Sequence, residues 1–335
     1  MNSGEYRKDP AVTYFTGHSP EHCIVFYDDR SYKKCMFVPE FERDMYHSIK
    51  CFSLQRNTLL KTLKKYFGIT SLTSIAVNKE YVSVAQFARL KKLLSCRFVD
   101  ARDFVKKLRY RKSSDEIVRI TKACQITDSI FTSLVRLLTL GKFRTEKDIS
   151  QYLLSEMLKK GVKPSFNPIV ACGAHSASPH HIPTDSLLVG STVIDFGVIH
   201  ENYCSDMTRT IYFGKPTRQF LQKYKLVLGE YTRSVSLSKN SSRFSDIDAS
   251  ARKRLGKYFN HLLGHGVGVE IHEAPSFSKA SKDVITEGVA FTLEPGVYYP
   301  GKFGIRIEDT FVFTKNSVKP LTRSSRELLV FKKRS

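Results

Sequence analysis

The strongest constraint on this chain is a pair of apolar stretches that carry acids where the pattern demands burial. In "VIDFGVIHENYCSDMTRTIYFG", residues 193–214, two β-branched runs flank the polar turn "HEN". Such runs read as the strands of a hairpin, and each holds one aspartate, Asp195 and Asp206. Antiparallel partners share a constant sum of residue numbers, so pairing the two aspartates centres the turn on His200–Glu201. Their Cβ atoms would then lie about 4.5–5.5 Å apart, where like charges repel. The segment "FTLEPGVYYPGKFGIRIEDTFVF" repeats the arrangement: Glu294 and Glu308 face each other about a turn centred on Gly301. One such pair can share a proton. Four carboxylates converging in an apolar sheet call for about two divalent cations to balance them.

An imidazole is available nearby. In "NHLLGHGVGVEIHEAP", Gly264 and Gly266 flank His265 and let backbone and ion approach closely. Hard oxygen donors suit Mn²⁺, Co²⁺ or Mg²⁺, and one imidazole shifts the choice toward Mn²⁺, Co²⁺, Fe²⁺ or Zn²⁺. Taken singly, each acid is also compatible with a solvated strand residue or an ion pair.

The acids sit in the second of two expected regions. Residues 12–17, 23–27 and 34–38 read as short strands, residues 54–67 and "SVAQFARLKKLL" as helices, and "SIAVN" as a strand. This alternation predicts a small α/β domain over residues 1–110. From residue 111 to 335 the order is mixed. Ser113 or Ser114 caps a long helix, Thr145 caps a second that ends at Gly161, and two more helices fit 217–236 and 245–258. Strands precede and follow them, which predicts an α+β second domain.

Composition excludes some classes. No apolar run approaches a membrane helix, and "MNSGEYRKDP" has no signal-peptide core. The chain has 7 scattered cysteines and no CxxC pair, which places it in the reducing cytoplasm. The net charge is +22, but the excess is spread over both regions and reads as a general bias, not a specific nucleic-acid site.

These motifs resemble the pita-bread metallopeptidases, in particular the proline-specific branch of aminopeptidase P and prolidase. The family's metal ligands, in the order Asp, Asp, His, Glu, Glu, match Asp195 in "IDFG", Asp206 in "YCSDMTRT", His265 in "GHGVGVEIHEAP", Glu294 in "LEPGVY" and Glu308 in "GIRIED". The resemblance implies a pita-bread domain behind a creatinase-like first domain that lacks the usual opening helix and strand. It implies two divalent ions, foremost Mn²⁺ with Co²⁺ or Zn²⁺ as alternatives, and a homodimer. The implied reaction is hydrolysis of the Xaa-Pro bond in dipeptides or at peptide N-termini, by a hydroxide held between the ions. Glu294 is expected to shuttle the proton as well as bind metal. His180 in "SASPHHIPTD" and His272 in "VEIHEAP" match the family's substrate-side histidines. Arg306, two residues before Glu308, is expected to hold the carboxylates or a substrate carboxylate. Thr208 is expected to orient Asp206, and His181 to be a surface loop residue. A non-catalytic pita-bread domain that binds protein or nucleic acid is the alternative, but such relatives lose ligands and this chain keeps all five. Methionine aminopeptidases share the ligands but lack the large first domain and "HEAP" segment.

Overall fold

Helix start and stop signals decide much of the local structure. The structure, a computed structural model, describes residues 9–55, 58–239, 243–315 and 317–333. The chain divides into two units, Met1–Arg109 and Tyr110–Ser335. In the first, the segment expected as a strand at 12–17 is instead part of helix α1 (Pro10–Thr16). Asp9 caps it by accepting from Ala11 N, Pro10 opens it, and Gly17 closes it at φ 75°. These capping signals override the β-branched and aromatic content that suggested a strand. Strands β1 (Ile24–Tyr27), β2 (Lys34–Val38) and β3 (Lys50–Ser53) form one sheet, followed by helix α2 (Leu59–Phe67). Then β4 (Ser74–Val77) and β5 (Arg97–Asp100) pair in parallel through α3 (Val84–Leu93), and α4 (Arg102–Tyr110) ends the unit. Phe26, Cys35, Phe37, Leu59, Leu63 and Leu94 form its core.

The second unit opens with α5 (Ser114–Thr139), whose capping box joins Ser113 and Glu116, and α6 (Glu146–Lys159), whose box joins Thr145 and Asp148. Strands β6 (Lys163–Pro164), β7 (Ile169–Cys172), β8 (Gly190–Phe196), β9 (Val198–His200), β10 (Tyr203–Cys204) and β11 (Met207–Phe213) follow. Helices α7 (Arg218–Ser238) and α8 (Phe244–Leu255) come next. The remaining strands are β12 (His265–Gly266), β13 (Glu273–Ser276), β14 (Ala290–Leu293), β15 (Gly296–Tyr299), β16 (Phe303–Arg306), β17 (Asp309–Thr314), β18 (Ser317–Pro320) and β19 (Val330–Phe331). One sheet runs β19-β11-β8-β7, another β13-β12-β14-β17-β18, and β15 pairs with β16. The two larger apolar cores of the unit are built one on α5, α6 and the first sheet, the other on α7, α8 and the strands from β14 onward. No helix among the described residues is long and apolar enough to cross a membrane.

The two expected hairpins behave differently. Leu293 pairs with Asp309 and Gly296 with Arg306, so both ladders keep the register that sets Glu294 opposite Glu308. Gly301 lies in the turn at φ 71°. In the aspartate hairpin His200 pairs with Tyr203, and Asp195 faces Thr208, not Asp206. The turn residues are Glu201 and Asn202, both at positive φ (46° and 70°), as a two-residue hairpin turn requires. The turn centre moves by one residue and the partner by two. Side chains alternate with period two, so Asp195 and Asp206 stay on one face as diagonal neighbours.

Candidate metal centre

Threonine hydroxyls bring the two hairpins together. Thr210 Oγ1 donates to Arg306 O at 2.8 Å and accepts from Arg306 N at 2.9 Å. Thr310 Oγ1 does the same with Asp206, at 2.8 Å and 3.3 Å. Between them, Glu308 N donates to Thr208 O at 3.1 Å. Alternate residues of β11 and of the β16–β17 segment thereby meet, and this lines up Asp206, Thr208, Arg306 and Glu308.

Asp206, Glu294 and Glu308 gather around His265. His265 Nε2 lies 3.5 Å from Asp206 Oδ2 and 3.6 Å from Glu294 Oε1. Ligating atoms of Asp206, His265 and Glu308 all fall within 4.8 Å of one another. Close backbone approach seats the histidine: a Cβ on Gly264 would lie 2.1 Å from Thr292 O, and one on Gly266 2.1 Å from Ala274 O. Asp195 joins through Arg306, whose Nη2 donates to Asp195 Oδ2 at 2.5 Å.

Arg306 turns its whole fork inward. Its Nε donates to Thr208 Oγ1 at 3.0 Å and its Nη1 to Tyr298 OH at 2.9 Å, and the residue is 3% exposed. This geometry favours the carboxylate-holding alternative over contact with a substrate carboxylate. Thr208 Oγ1 in turn donates to Glu308 Oε2 at 2.7 Å, so it orients Glu308 rather than Asp206. His272 stands edge-on to His265 with ring centroids 4.3 Å apart. Its neighbour Glu273 is held by a buried ion pair with Lys112 at 2.9 Å. His180 and His272 are both exposed. Burial first, with Arg306 adding to it, lowers His261 to about 3, and burial also lowers His272.

Sequence reasoning missed two contributors. His261 Nε2 lies 2.8 Å from Tyr298 OH, and its Nδ1 lies 3.6 Å from Glu294 Oε2. Tyr298 could have been found from strand periodicity, because it stands four residues after Glu294 on the same side. His181 is also misplaced by the surface-loop expectation: it is half-buried, stacked on His175 at 4.3 Å and bonded to Glu146.

The electrostatics reveal what the cluster lacks. Burial first, and mutual repulsion second, push the carboxyls of Asp206, Glu294 and Glu308 above their ordinary range. Burial and the His272 charge push His265 down to about 3. Among the described residues, Asp195 Oδ1, Asp206 Oδ1 and Glu308 Oε1 are buried with no hydrogen-bond partner. Unpaired buried carboxylate oxygens are costly. Cations would offset all of these penalties together, and oxygen donors with one neutral imidazole suit divalent ions. The residues therefore fit the metals that the sequence implies.

Comparison with known proteins agrees. Residues 118–315 match Metallopeptidase family M24, and residues 7–111 match the Creatinase/Prolidase N-terminal domain. The chain belongs to metallopeptidase family M24. An Xaa-Pro dipeptidase of Pyrococcus furiosus is 34% identical over 329 residues, covering 95% of this chain and 92% of the relative. The crystal structure of an X-Pro aminopeptidase from Thermotoga maritima superposes with a TM-score of 0.84 at 31% identity, covering 96% of this chain and 93% of the other. The prolidase from Pyrococcus furiosus superposes with a TM-score of 0.80 at 30% identity, covering 95% of each chain. This M24 chain is accordingly a metallopeptidase, with a creatinase-type first domain and a pita-bread second one, and its family uses divalent metal ions.

Proposed function

We propose that this chain hydrolyses the Xaa-Pro bond of dipeptides or of short peptides at their N-terminus. The observation that carries the reading is the set of three partnerless, buried carboxylate oxygens, on Asp195, Asp206 and Glu308, in an M24 chain. The names of its relatives support the proline-specific substrate. Asp195, Asp206, His265, Glu294 and Glu308 would hold two divalent ions, with Mn²⁺ the first choice and Co²⁺ or Zn²⁺ the alternatives. Such ions polarise a scissile carbonyl and acidify a water when bound. Glu294, less buried than the other three acids, would take that water's proton and return it to the proline nitrogen. His180 and His272, exposed beside the cluster, would donate to the substrate carbonyl. Arg306 would keep Asp195 aimed, and Thr208 would do so for Glu308. Seven scattered cysteines without a CxxC pair fit a reducing cytoplasm. A homodimer is part of the same proposal, and gel filtration with light scattering tests it.

The functional test is hydrolysis of Ala-Pro and Ala-Pro-Ala by chelated protein, with and without Mn²⁺, beside Asp206→Asn. Metal-dependent cleavage that Asp206→Asn abolishes is expected. Cleavage of the dipeptide alone makes the enzyme a dipeptidase, and cleavage of the tripeptide an aminopeptidase. Failure to cleave either with Mn²⁺, Co²⁺ or Zn²⁺ bound would overturn the proposal and return a binding role to consideration.

A further inference from the structure

A second cluster of metal-ligand type lies outside the centre just described. Glu146 is fully buried in the first turn of α6, and its ligating atoms, with those of His175 and His181, fall within 4.8 Å of one another. Its chemistry differs from that of the metal centre. Oε1 accepts from Cys172 N at 2.8 Å and His175 Nδ1 at 2.9 Å. Oε2 accepts from His181 Nε2 at 2.8 Å, Thr184 N at 2.9 Å and Thr184 Oγ1 at 2.8 Å. Both oxygens are filled, whereas Asp195, Asp206 and Glu308 each bury an empty one. Burial alone would raise the Glu146 carboxyl, but these donors hold it down to about 2, so it is an anion. A carboxylate saturated this way is an anchor, not a vacant ligand set.

What it anchors is the connection from β7 to β8, which carries His180. Ser176 pins one flank of that connection: its Oγ accepts from Gly304 N at 2.7 Å, and a Cβ on Gly304 would lie 1.8 Å from Ser176 O. Gly304 belongs to β16, two residues before Arg306. Glu146 pins the other flank at His181. His180 lies between these two pins, with its Cα only about 3.8 Å from that of His181. Its side chain is exposed.

We propose that Glu146 is a positioning residue for the peptidase reaction, which holds the His180 segment in place by anchoring His175, His181 and Thr184. The proposal rests on the Xaa-Pro peptidase reading. Its test is a double-mutant cycle of Glu146→Gln and His180→Ala on the Mn²⁺-loaded protein, with Ala-Pro as substrate, recording kcat, KM, metal content and Tm. Thr184→Ala, which removes one donor, serves as a milder variant should Glu146→Gln fail to fold. Glu146→Gln is expected to lower kcat/KM about 10- to 100-fold with metal content unchanged. In the His180→Ala background the same change is expected to cost less than about threefold, because its route of action is gone. Additive losses, or losses that follow metal content, would overturn the proposal. An imidazole NMR signal of His180, assigned by its loss in His180→Ala, gives a reading without turnover. It is expected to shift in Glu146→Gln and Thr184→Ala, and an unchanged signal would also overturn the proposal. Wild-type protein that cleaves no Xaa-Pro substrate would remove the peptidase reading, and the NMR signal would still decide whether Glu146 positions His180.

Discussion

At the scale of single residues, two buried ionic groups have opposite tasks. Arg306 supplies a positive charge with three directed contacts, to Asp195, Thr208 and Tyr298. A lysine keeps the charge but not the planar fork. Arg306→Lys is therefore expected to weaken metal binding about 10- to 100-fold, as loss of a group that orients ligands does. Calorimetric titration of the chelated protein with Mn²⁺ measures this, and wild-type affinity in the variant would show that charge alone suffices. Glu146 is a negative charge stabilised by its donors, with its carboxyl lowered from 4.5 to about 2. A depressed carboxyl stabilises the fold above its unfolded pKa, and that contribution is lost as pH falls through the folded value. The difference corresponds to about 3 kcal/mol for this fully buried group. The stability gap between wild type and Glu146→Gln should accordingly narrow as pH is lowered from 4.5 toward about 2, as followed by urea unfolding.

At the scale of elements, the aspartate hairpin shows how a turn sets what its strands present. Glu201 and Asn202 both occupy left-handed backbone, at φ 46° and 70°. Glutamate is poorly suited to that region, and a strained residue there costs on the order of 1 kcal/mol. Replacing the pair by Asn-Gly should raise stability by a similar amount and leave turnover unaltered, since the turn stands four residues from Asp206 and six from Asp195 along the strands. Denaturant midpoints and Ala-Pro hydrolysis check both halves of that statement. The same turn marks the limit of what could be read in advance. The tip "YPGKFG" has Gly301 at its centre, and a glycine at positive φ announces a turn, so the Glu294–Glu308 register was legible. The tip "HEN" has no glycine, and nothing in its residue types tells His200–Glu201 from Glu201–Asn202. The face of each aspartate survived the error because an antiparallel partner shifts by two residues. Segment 12–17 misled for another reason: its Val, Thr, Tyr and Phe favour strands, while Asp9, Pro10 and Gly17 outside it impose a helix. His261, Tyr298 and Glu146 act through contacts 37, 8 and 35 residues away, to Tyr298, Arg306 and His181 respectively. Local pattern carries no record of such pairings.

At the scale of the whole molecule, the site opposes the fold that holds it. Burial and repulsion raise the carboxyls of Asp206, Glu294 and Glu308 in the metal-free protein. A carboxyl raised on folding makes the native state hold more protons than the unfolded chain. Stability from that source is complete below the unfolded pKa and is lost as pH rises through the folded one. Bound divalent cations reverse the balance, because the ionised carboxylates are then the favoured partners. The net charge of +22 also changes with pH, and self-repulsion in the compact state changes with it. That background is nearly common to the chelated and metal-loaded forms, so the difference between their melting temperatures isolates the centre. The difference should widen steadily from about pH 5 to about pH 8, with the chelated protein losing stability as the loaded one holds it. Scanning calorimetry in EDTA and in Mn²⁺ across that range measures it. A difference that stays flat or shrinks as pH rises would mean that the buried acids are balanced by the protein's own groups, and Arg306 would then carry the charge assigned here to the ions.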